Sequence, residues 1–408
     1  MDNIYDIMII GGGVAGMAAG IYGGRSRLRT LILEKGGMGG SAYSTRELAN
    51  YPGFPAGVSG PDLTADFRGQ AERFGAEIAR GEVSAAELSG DVKTVRTKKG
   101  QEYKARSVIL ALGTEPRLLG APGEKEFRGL GVSYCATCDA ENFKDGVVAV
   151  VGNGDAALEE ACYIAKFAAK VIVIVIHDEG IVDCNKVSAE IAFKNPKLEF
   201  VWNSSVAEIK GDEEVTSFVI RNLKTGALTE REVDGVFFYV GMIPMTAVVK
   251  DQVETDKSGY IPTTERMETS LPGVYAAGDC RQKYLRQVVT AAADGAVAAT
   301  AAGRYLEEFD EYREMVSGAG KTLLAFWSPL NEFSINAVAK AEQLSSEYQG
   351  KLRLVKIDLY RKTMMARKYN VQTPGTFILV KNETACGVLS TDCYNTLEAT
   401  LRAWFQEN

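Results

Sequence analysis

Two short apolar runs in the chain are each followed at once by a glycine-rich turn and then by an alanine-rich stretch. The first run, Ile4–Ile10, precedes the turn at residues 11–16 and leads to another apolar run at residues 28–34. The second run, Val147–Val151, precedes the turn at residues 152–157 and is followed by a comparable helical stretch and strand. Runs this short, bounded by turn residues, are typical of buried strands in a parallel sheet. The pattern therefore predicts two strand–turn–helix–strand units of α/β type.

The first glycine turn matches the G-x-G-x-x-G fingerprint of dinucleotide-binding folds. Gly11 allows the tight turn, Gly13 lets a pyrophosphate approach the backbone, and Gly16 lets the helix pack closely on the strand. The phosphates would then lie at the helix N-terminus, where unpaired N–H groups and the helix dipole favour an anion. Glu34, 23 positions after Gly11, is placed to accept hydrogen bonds from ribose hydroxyls. This context predicts a dinucleotide site.

The second turn has the same spacing but leaves its ligand open. Its small residues are Gly152, Gly154 and Ala157. A site for NADP needs arginines for the 2′-phosphate, whereas a site for NAD offers an acid to the free ribose hydroxyls. Here Asp178 and Glu179 follow the strand at residues 171–176, with no arginine nearby. The two carboxylates would repel a phosphate, or they simply form a solvated turn, so NADPH is disfavoured and NADH, or no nicotinamide nucleotide, is left open.

The composition limits the protein to a few classes. A chain of 408 residues is too long for one ordinary core, so two or three domains are expected. The formal net charge of −7 provides no electrostatic footprint for nucleic acid. No apolar run approaches the roughly 20 residues needed to span a bilayer, and the N-terminus lacks the basic and apolar regions of a signal peptide. We therefore expect a soluble cytoplasmic protein that contacts neither nucleic acid nor membrane.

Cys135 and Cys138 stand three positions apart and are followed by Asp139, whereas the other five cysteines are scattered singly. A closed zinc site needs four ligands, but the chain has no second cysteine pair and one histidine, so no metal site is expected. A purely structural disulfide is also disfavoured, because disulfides in a reducing compartment are usually catalytic or redox-sensing. We interpret the pair as a dithiol/disulfide redox centre, with Asp139 as a candidate acid or base for the thiols.

In this order, the motifs resemble those of the low-molecular-weight thioredoxin reductases over roughly residues 4 to 310. The most specific stretch is residues 131–139, Gly-Val-Ser-Tyr-Cys-Ala-Thr-Cys-Asp. The other matching stretches are residues 11–16, Glu34, residues 50–53 (Asn-Tyr-Pro-Gly), residues 152–157, residues 276–279 (Ala-Ala-Gly-Asp) and residues 286–288 (Arg-Gln-Val). The resemblance implies an FAD-dependent enzyme that reduces the disulfide of thioredoxin or a similar protein.

The resemblance also implies roles for individual residues. Cys135 would attack the protein disulfide, Cys138 would exchange electrons with the flavin, and Asp139 would donate and accept protons. Asp279 would contact the ribityl-pyrophosphate side of FAD, and the backbone around Gln287 would meet the isoalloxazine ring. The expected FAD-binding residues are Gly11, Gly13, Val14, Ala15, Gly16, Glu34, Lys35, Gly40, Ser41, Asn50, Val83, Ala111, Gly113, Gly278, Asp279, Arg286, Gln287 and Val288. A homodimer is implied as well, together with a rotation between the two domains that presents the cysteines alternately to flavin and substrate.

The chain departs from this family in the second unit. The family's strand ends in a His-Arg-Arg run that grips NADPH, with another arginine soon after, whereas here His177 is kept and the acids Asp178, Glu179 and Asp183 follow. Reductases that have lost these arginines include ones resembling the ferredoxin-dependent flavin thioredoxin reductases, which take single electrons from an iron–sulfur protein. The small residues kept in the turn indicate NADH binding or serve only helix packing. We therefore expect an unusual donor, NADH or reduced ferredoxin, rather than NADPH.

Residues 321–408 have a strand–helix–strand pattern of their own that resembles the thioredoxin fold. Where that fold carries Trp-Cys-Gly-Pro-Cys, the chain has Leu-Asn-Glu-Phe-Ser at residues 330–334, and the position of its buried aspartate is Ala325. This domain is therefore expected to be redox-inactive and to dock a partner, hold the dimer or cover the active site. The acid-rich residues 306–311 predict a solvated helix end, and residues 317–320 (Ser-Gly-Ala-Gly) predict a flexible linker.

The predicted architecture is α/β throughout, with two Rossmann-like dinucleotide-binding domains and a C-terminal thioredoxin-like domain. The expected domains are a split FAD domain at residues 1–115 and 246–315, an NAD(P)-type domain carrying the redox cysteines at residues 116–245, and the thioredoxin-like domain at residues 321–408. The favoured function is FAD-dependent reduction of a protein disulfide. One alternative is a redox-sensing regulatory flavoprotein whose tail recruits a partner. Another is a flavin oxidase, which leaves the cysteine pair without a use.

Overall fold

The structure is a computed structural model that describes residues 4–45, 48, 50–317, 320–348, 350–381, 384–389 and 396–406. For residues 137 and 138 it describes the backbone alone. Within these ranges, no helix is both long enough and apolar enough to cross a membrane.

Residues 4–116 contribute most of a sheet and two helices that cover it. The strands are β1 (Ile4–Ile10), β2 (Thr30–Glu34), β3 (Glu77–Arg80), β4 (Val83–Glu87), β5 (Lys93–Thr97), β6 (Glu102–Leu110) and β7 (Thr114–Pro116), and the helices are α1 (Val14–Arg25) and α2 (Gly60–Arg73). The parallel part of the sheet has the order β3-β2-β1-β6, and β5 and β4 extend it in antiparallel orientation. The centre of β1 is fully buried on both faces, as expected for a strand of uninterrupted apolar residues in a sheet covered on both sides.

Residues 132–244 contain the second large sheet, which is parallel, and a smaller antiparallel sheet. The strands are β8 (Val132–Ser133), β9 (Val147–Val151), β10 (Lys170–Ile174), β11 (Leu198–Val201), β12 (Ser204–Gly211), β13 (Val215–Asn222), β14 (Leu228–Glu232), β15 (Gly235–Phe238) and β16 (Met242–Pro244), and the helices are α3 (Ala136–Asp139), α4 (Asp155–Ile164) and α5 (Lys186–Lys194). The parallel sheet has the order β11-β10-β9-β15-β8, and the antiparallel sheet β12-β13-β14 packs its apolar face against it. Because β7 pairs with β16, the chain enters and leaves this region side by side.

The chain then returns to the first sheet through β17 (Val274–Ala276), which pairs in parallel with β6, and continues into the long helix α6 (Val288–Val316). Helices α1 and α6 touch through their backbones, since a Cβ atom built on Gly295 would lie 2.0 Å from the carbonyl oxygen of Ala15. This contact holds the first residue of α6 beside the glycine turn that precedes α1.

The C-terminal residues form a third sheet with helices on both faces. The strands are β18 (Lys321–Trp327), β19 (Arg353–Asp358), β20 (Thr376–Lys381) and β21 (Thr384–Leu389), and the helices are α7 (Glu332–Glu347), α8 (Thr363–Lys368) and α9 (Leu397–Gln406). The sheet order is β19-β18-β20-β21, with β18 and β19 parallel and the other pairs antiparallel. Helices α7 and α9 cover one face, while α8 and the end of α6 cover the other.

The end of α6 therefore belongs to two cores. Phe309 and Tyr312 are only 4% and 3% exposed and pack in one cluster with Phe326 and Ile378 of the C-terminal sheet. The prediction that residues 306–311 form a solvated helix end is thus wrong for one face of the helix. Three of its acids, Glu307, Asp310 and Glu311, do face solvent, but Glu308 is half-buried and the apolar residues at helical spacing lie against a tertiary partner. Of the expected linker, residues 318 and 319 lie outside the described residues.

Candidate active site

The first glycine turn has the geometry that a dinucleotide site requires. Gly11 has φ of +114°, and a Cβ atom built on it would lie 2.1 Å from the carbonyl oxygen of Ala111. A Cβ atom on Gly16 would lie 1.9 Å from the carbonyl oxygen of Gly11. A Cβ atom built on Gly13, by contrast, would contact only the Cα of Gly40, at 3.8 Å. The outer two glycines are thus needed for packing, and the middle one faces open space where a pyrophosphate can approach the backbone.

Glu34 is the last residue of β2 and lies beside this turn. One carboxylate oxygen accepts a hydrogen bond from the backbone N–H of Gly12 at 2.6 Å, and the other accepts one from the N–H of Gly36 at 2.7 Å. The carboxylate is therefore fixed at the rim of the turn, where the fingerprint places the acid that binds ribose.

A cavity of about 780 Å³ opens at this turn, within the range of small-molecule and cofactor sites. The expected FAD-binding residues that line it are Gly11, Gly13, Val14, Ala15, Glu34, Lys35, Gly40, Ser41, Asn50, Ala111, Gly113, Gly278, Asp279, Arg286, Gln287 and Val288. Two of these meet across the cavity, since Asn50 Nδ2 donates to Gln287 Oε1 at 3.1 Å. Gly16 lies behind the wall in the packing position just described. Val83 does not line the cavity, because it lies in β4 and packs on the core cluster that includes Leu33.

Two buried polar atoms in the cavity wall have no hydrogen-bond partner among the described residues. They are Oδ1 of Asp279 and Nε of Arg286. Lys283 Nζ lies 3.4 Å from this oxygen but forms no hydrogen bond with it, and the Arg286 guanidinium stacks on the ring of Tyr260 at 4.1 Å. Buried polar groups in native proteins are nearly always satisfied. An acceptor and a donor left open in the same wall fit a polar cofactor such as FAD.

A buried charged network that the sequence analysis did not identify supports this wall. Asp294 of α6 receives two hydrogen bonds from the guanidinium of Arg281, both at 2.9 Å, and one from Lys283 Nζ at 3.0 Å. The backbone N–H of Gly278 also donates to it at 3.1 Å. These bonds position Gly278 and Asp279 at the cavity. An acid in the middle of an alanine-rich helix was the only sequence signal for this network.

The predicted redox loop lies between β8 and α3. Cys135 is in a disulfide bond, and the side chain of Cys138 lies outside the described residues. Ser133, which carried no assigned role, organises the loop: its Oγ accepts a hydrogen bond from the N–H of Cys135 at 3.1 Å and donates one to Asp139 Oδ2 at 2.5 Å. The carboxylate of Asp139 is thereby held by the same hydroxyl that fixes the backbone of Cys135.

Tyr239 is a second residue that sequence reasoning missed. It follows β15, and its hydroxyl accepts a hydrogen bond from the N–H of Ala136 at 2.8 Å. Burial raises the pKa of Tyr239 far above its usual value, and the nearby charges of Glu160 and Asp139 act in the same direction. The phenol therefore stays neutral and serves as a fixed acceptor at the start of α3. The phenylalanine-rich strand before it gave no sign of this role.

The wall of the cavity opposite the glycine turn comes from α4 of the second sheet. Glu159, Glu160 and Tyr163 line the cavity, whereas Cys135 does not. Burial raises the pKa of Glu160, and the neighbouring carboxylate of Glu159 raises it further. The structure thus has the arrangement in which the second nucleotide unit, rather than Cys135, faces the first.

The second glycine turn repeats the backbone of the first but not its acid. Gly11 N–H donates to Leu33 O at 2.9 Å, and in the same way Gly152 N–H donates to Ile174 O at 3.2 Å. The residue after Leu33 is Glu34, and the residue after Ile174 is Val175, which is fully buried. The position equivalent to Glu34 is therefore occupied by a valine, and the acids singled out in the sequence lie three and four residues further on.

Those acids belong to a loop that contacts the turn at Asn153. Asp178 pairs with Lys224. Asp183 receives hydrogen bonds from Asn153 Nδ2 at 3.2 Å and lies 3.0 Å from His177 Nε2, while its own N–H donates to Asn153 O at 3.0 Å. The contacts of Asp183 join the loop to the residue between the two turn glycines. Glu179 forms no hydrogen bond or ion pair with another described residue.

The same loop also covers the N-terminus of α4. Asp155, the first residue of that helix, accepts hydrogen bonds from the backbone N–H and from Nδ2 of Asn185, both at 2.7 Å. The end of the helix where a pyrophosphate would lie thus carries a carboxylate already bound by the chain itself. This arrangement is unfavourable for an anionic nucleotide.

Comparison with known proteins covers the first two sheets. Residues 5–295 match the family model described as pyridine nucleotide-disulphide oxidoreductase. Thioredoxin reductase of Peptoclostridium acidaminophilum is 50% identical over 318 residues, which are 76% of this chain and 100% of that protein. Thioredoxin reductase of Bacillus subtilis is 42% identical over 311 residues, or 76% of this chain and 97% of that protein. The crystal structure of Lactococcus lactis thioredoxin reductase in its FR conformation has a TM-score of 0.65 at 41% identity, covering 74% of this chain and 99% of the other.

Proposed function

This chain belongs to the pyridine nucleotide-disulphide oxidoreductase family and, within it, to the low-molecular-weight thioredoxin reductases, and on that premise we propose that it reduces the disulfide of thioredoxin or a similar protein through Cys135 and Cys138. It is an oxidoreductase, and FAD is its cofactor. The observation that carries the proposal is a disulfide-bonded Cys135 in a short, hydrogen-bonded loop within the same chain as a complete dinucleotide cavity.

The proposed reaction is thiol–disulfide exchange. The thiolate of Cys135 attacks one substrate sulfur, the substrate disulfide breaks, and the leaving thiolate takes up a proton. The thiolate of Cys138 then attacks the Cys135 sulfur of the mixed disulfide, which releases the second substrate thiolate and closes the enzyme disulfide. The substrate gains two electrons and two protons, and the chemistry that bound FAD supplies is the electron pair that restores the dithiol.

The protons that the thiols release and take up in this exchange need a carrier, and Asp139, oriented by Ser133, is the candidate. The Asp139 carboxylate lies one turn after Cys135 and accepts the Ser133 hydroxyl proton at 2.5 Å. We propose that Asp139 accepts a proton when a thiol of the Cys135/Cys138 pair ionises to the attacking thiolate and donates it to the leaving substrate thiolate, with Ser133 fixing its orientation. Because α4 and not Cys135 lines the cavity, a rotation between the two nucleotide units is part of the proposal.

The electron donor we propose is not NADPH. A 2′-phosphate would meet the carboxylates of a loop that holds Asp178 and Asp183, with no arginine at the end of the strand. NADH is weakened as well, because Val175 stands where an acid would bind the ribose hydroxyls. Reduced ferredoxin needs no nucleotide site, so we place it ahead of NADH.

The remaining features of the proposal concern organisation. We propose a homodimeric cytoplasmic enzyme whose FAD domain, at residues 1–115 and 246–315, is split by the cysteine-bearing domain at residues 116–245. We propose further that residues 321–408 are a redox-inactive thioredoxin-like domain. The sheet order β19-β18-β20-β21 with α7 and α9 on one face supports this interpretation, and Ala325 is fully buried at the centre of β18.

Anaerobic titration of the flavin absorbance tests the donor. NADPH, NADH and reduced ferredoxin are added in parallel to the FAD-loaded protein, and ferredoxin is expected to bleach the flavin roughly 100-fold faster than NADPH. Efficient bleaching by NADPH would refute the proposed donor but leave the disulfide chemistry intact. The disulfide chemistry is tested separately by mixing the reduced enzyme with oxidised thioredoxin and counting the thiols formed, where absence of transfer from a fully reduced enzyme contradicts it.

A further inference from the structure

A second cavity lies midway along α6 and is distinct from the FAD cavity. It has a volume of about 440 Å³ and is bordered by α6, the segment 266–275 that precedes and includes β17, Tyr22 of α1, and α8 with the residues before it. The nucleotide units and the C-terminal sheet thus both contribute to its wall. None of the residues assigned to FAD or to the redox loop lines it.

The charges in this cavity are unbalanced. Four arginines line it, Arg266, Arg304, Arg361 and Arg367, against two glutamates, Glu268 and Glu308. Arg367 is partly used, because it donates to Thr269 O at 2.7 Å and lies 3.3 Å from Glu268. Arg361 makes one long contact of 3.7 Å with Asp358. For Arg266 and Arg304, the described residues provide neither a hydrogen bond nor an ion pair to the guanidinium.

The two glutamates do not offset this excess. Glu268 is engaged by Arg367. Glu308 accepts the N–H of Met364 at 2.9 Å, and burial raises the pKa of its carboxyl. Positive potential therefore collects in a concave site, which concentrates field lines on an anion.

Much of the remaining lining is aromatic or apolar. Tyr275 and Tyr305 line the cavity with their hydroxyls in surroundings where burial raises the pKa of both phenols, that of Tyr305 to about 12. Both therefore stay neutral at physiological pH. Val297 of α6, Pro272 and Tyr22 complete this part of the lining. A ligand here meets guanidinium groups together with aromatic and aliphatic side chains.

We propose that this cavity binds a small phosphate-bearing ligand with a planar or apolar body, of about the size of a nucleotide. A phosphate monoester carries a charge of about −1.5 to −2 and three acceptor oxygens at neutral pH, which matches two unpaired guanidiniums better than the single charge of a carboxylate. Arginine is also the side chain best shaped to bind phosphate through two parallel hydrogen bonds. The volume is within the range of small-molecule pockets.

The position of the cavity gives such a ligand a route to the flavin. Helix α6 begins at Val288 in the FAD cavity, passes this cavity at Ala296 to Glu308, and ends in the core of the C-terminal sheet. A ligand that joins α6 to Arg361 and Arg367 would fix the C-terminal sheet against the helix. The proposal does not depend on which donor reduces the flavin.

Isothermal titration calorimetry on the FAD-saturated full chain, in phosphate-free buffer, tests the proposal. The probes are inorganic phosphate, AMP and adenosine, and the variants are Arg266→Gln/Arg304→Gln and the control Arg313→Gln, which removes an exposed arginine of α6 outside the cavity. Phosphate and AMP are expected to bind the wild type and the control, AMP more tightly, and the double variant to bind both at least about tenfold more weakly, since charged hydrogen bonds are lost. Adenosine is expected not to bind.

Three results would overturn the proposal. One is the absence of binding by phosphate and AMP to the wild type, and another is equal binding to the double variant, which would place the anion elsewhere. The third is a change in the molar mass of the double variant, measured by light scattering, while its phosphate binding is unchanged. That result would assign the arginines to an interface between copies of the chain. Circular dichroism and the FAD content of each variant verify that folding is retained.

Discussion

The two glycine turns of this protein have nearly the same backbone and different surroundings. In each, the N–H of the first glycine donates to a carbonyl at the end of the following strand, through the pairs Gly11–Leu33 and Gly152–Ile174. One residue later the two units diverge, with Glu34 at the rim of an open cavity and Val175 buried in a core. The middle glycine faces open space in both units, at Gly13 and at Gly154, but the second turn is also joined by the chain's own loop through Asp183 and Asn153.

The difference shows what each part of a dinucleotide fingerprint reports. The small residues report close packing of helix on strand, and they persist in both units because both must pack. The acid after the strand reports the ligand, and only the first unit has it, since Val175 stands at the position equivalent to Glu34. The second unit instead carries the cysteine loop. Each prediction below would break or sharpen this division of roles.

The largest effect is expected from Cys135→Ser. Without the attacking sulfur, the rate of protein disulfide reduction should fall by roughly 10⁴-fold or more, as when other enzymes lose a nucleophile. The yellow FAD should remain bound, because Cys135 does not line the FAD cavity. Thioredoxin turnover measures the rate of disulfide reduction, and the ratio of flavin to protein absorbance measures the bound FAD. Retained turnover would contradict the role assigned to the second unit.

Glu34→Ala is expected to be next in size. Loss of a charged acceptor for ribose hydroxyls should weaken FAD binding by about 1.5–3 kcal/mol, or roughly 10- to 100-fold. Val175→Ala, at the equivalent position of the second unit, is the matched control and should leave FAD affinity unchanged. Equilibrium dialysis of FAD with the deflavinated proteins measures this. Equal losses of FAD affinity in the two variants would mean that the residues at positions 34 and 175 do not distinguish the two units.

Asp183→Ala tests whether the loop closes the second turn. The substitution removes the side-chain contacts with Asn153 and His177, each worth about 1 kcal/mol, so the loop should open more easily. At a fixed NADH concentration below saturation, flavin bleaching should then be about fivefold faster than in the wild type. Glu190→Ala, which removes an exposed acid of α5 outside the turn, is the control. An unchanged bleaching rate would show that the loop is not what limits the nucleotide.

The sequence predicts the first unit closely because each of its requirements is local. The spacing of the glycines, the strand before the turn and the acid at the end of β2 can each be recognised from neighbouring residues along the chain. In the second unit the strand was expected over residues 171–176, but it ends at Ile174, and Val175 occupies the position equivalent to Glu34. A run of β-branched residues continues to Ile176 and hides this end in the sequence.

Long-range partners could not be inferred in the same way. The bonds of Asp294 to Arg281 and Lys283 join a helix to the loop before it, and no periodicity marks a buried charge that is paired. Phe309 and Tyr312 were hidden among acids, although their spacing, with Leu306 before and Val316 after, is that of a helix face. What covers that face is decided only by the third sheet.

The two sheets also differ in the pH range in which their stability changes. Lys93 in the first sheet is fully buried, donates to Arg106 O at 2.9 Å, and burial lowers its pKa to about 8. The unfolded chain keeps this proton to about pH 10.4, so between pH 8 and that value the unfolded state binds more protons and stability rises by up to about 1.4 kcal/mol per pH unit. Lys93→Met should remove this rise. Urea midpoints of both proteins at pH 8, 9 and 10 measure it, and parallel curves would contradict it.

Glu199 in β11 of the second sheet should give the opposite and smallest effect. Hydrogen bonds from Arg231 and Lys170 lower its pKa to about 2. A carboxyl with a lowered folded pKa stabilises the protein above its unfolded pKa, so this contribution is lost as the pH falls from about 4.5 towards 2. The group is one-third exposed, and screening by solvent should keep its effect below about 1 kcal/mol. Glu199→Gln should therefore lower the urea midpoint at pH 6, and the gap to the wild type should narrow as the pH falls and close near pH 2. A gap of unchanged size at pH 2 would indicate packing rather than charge.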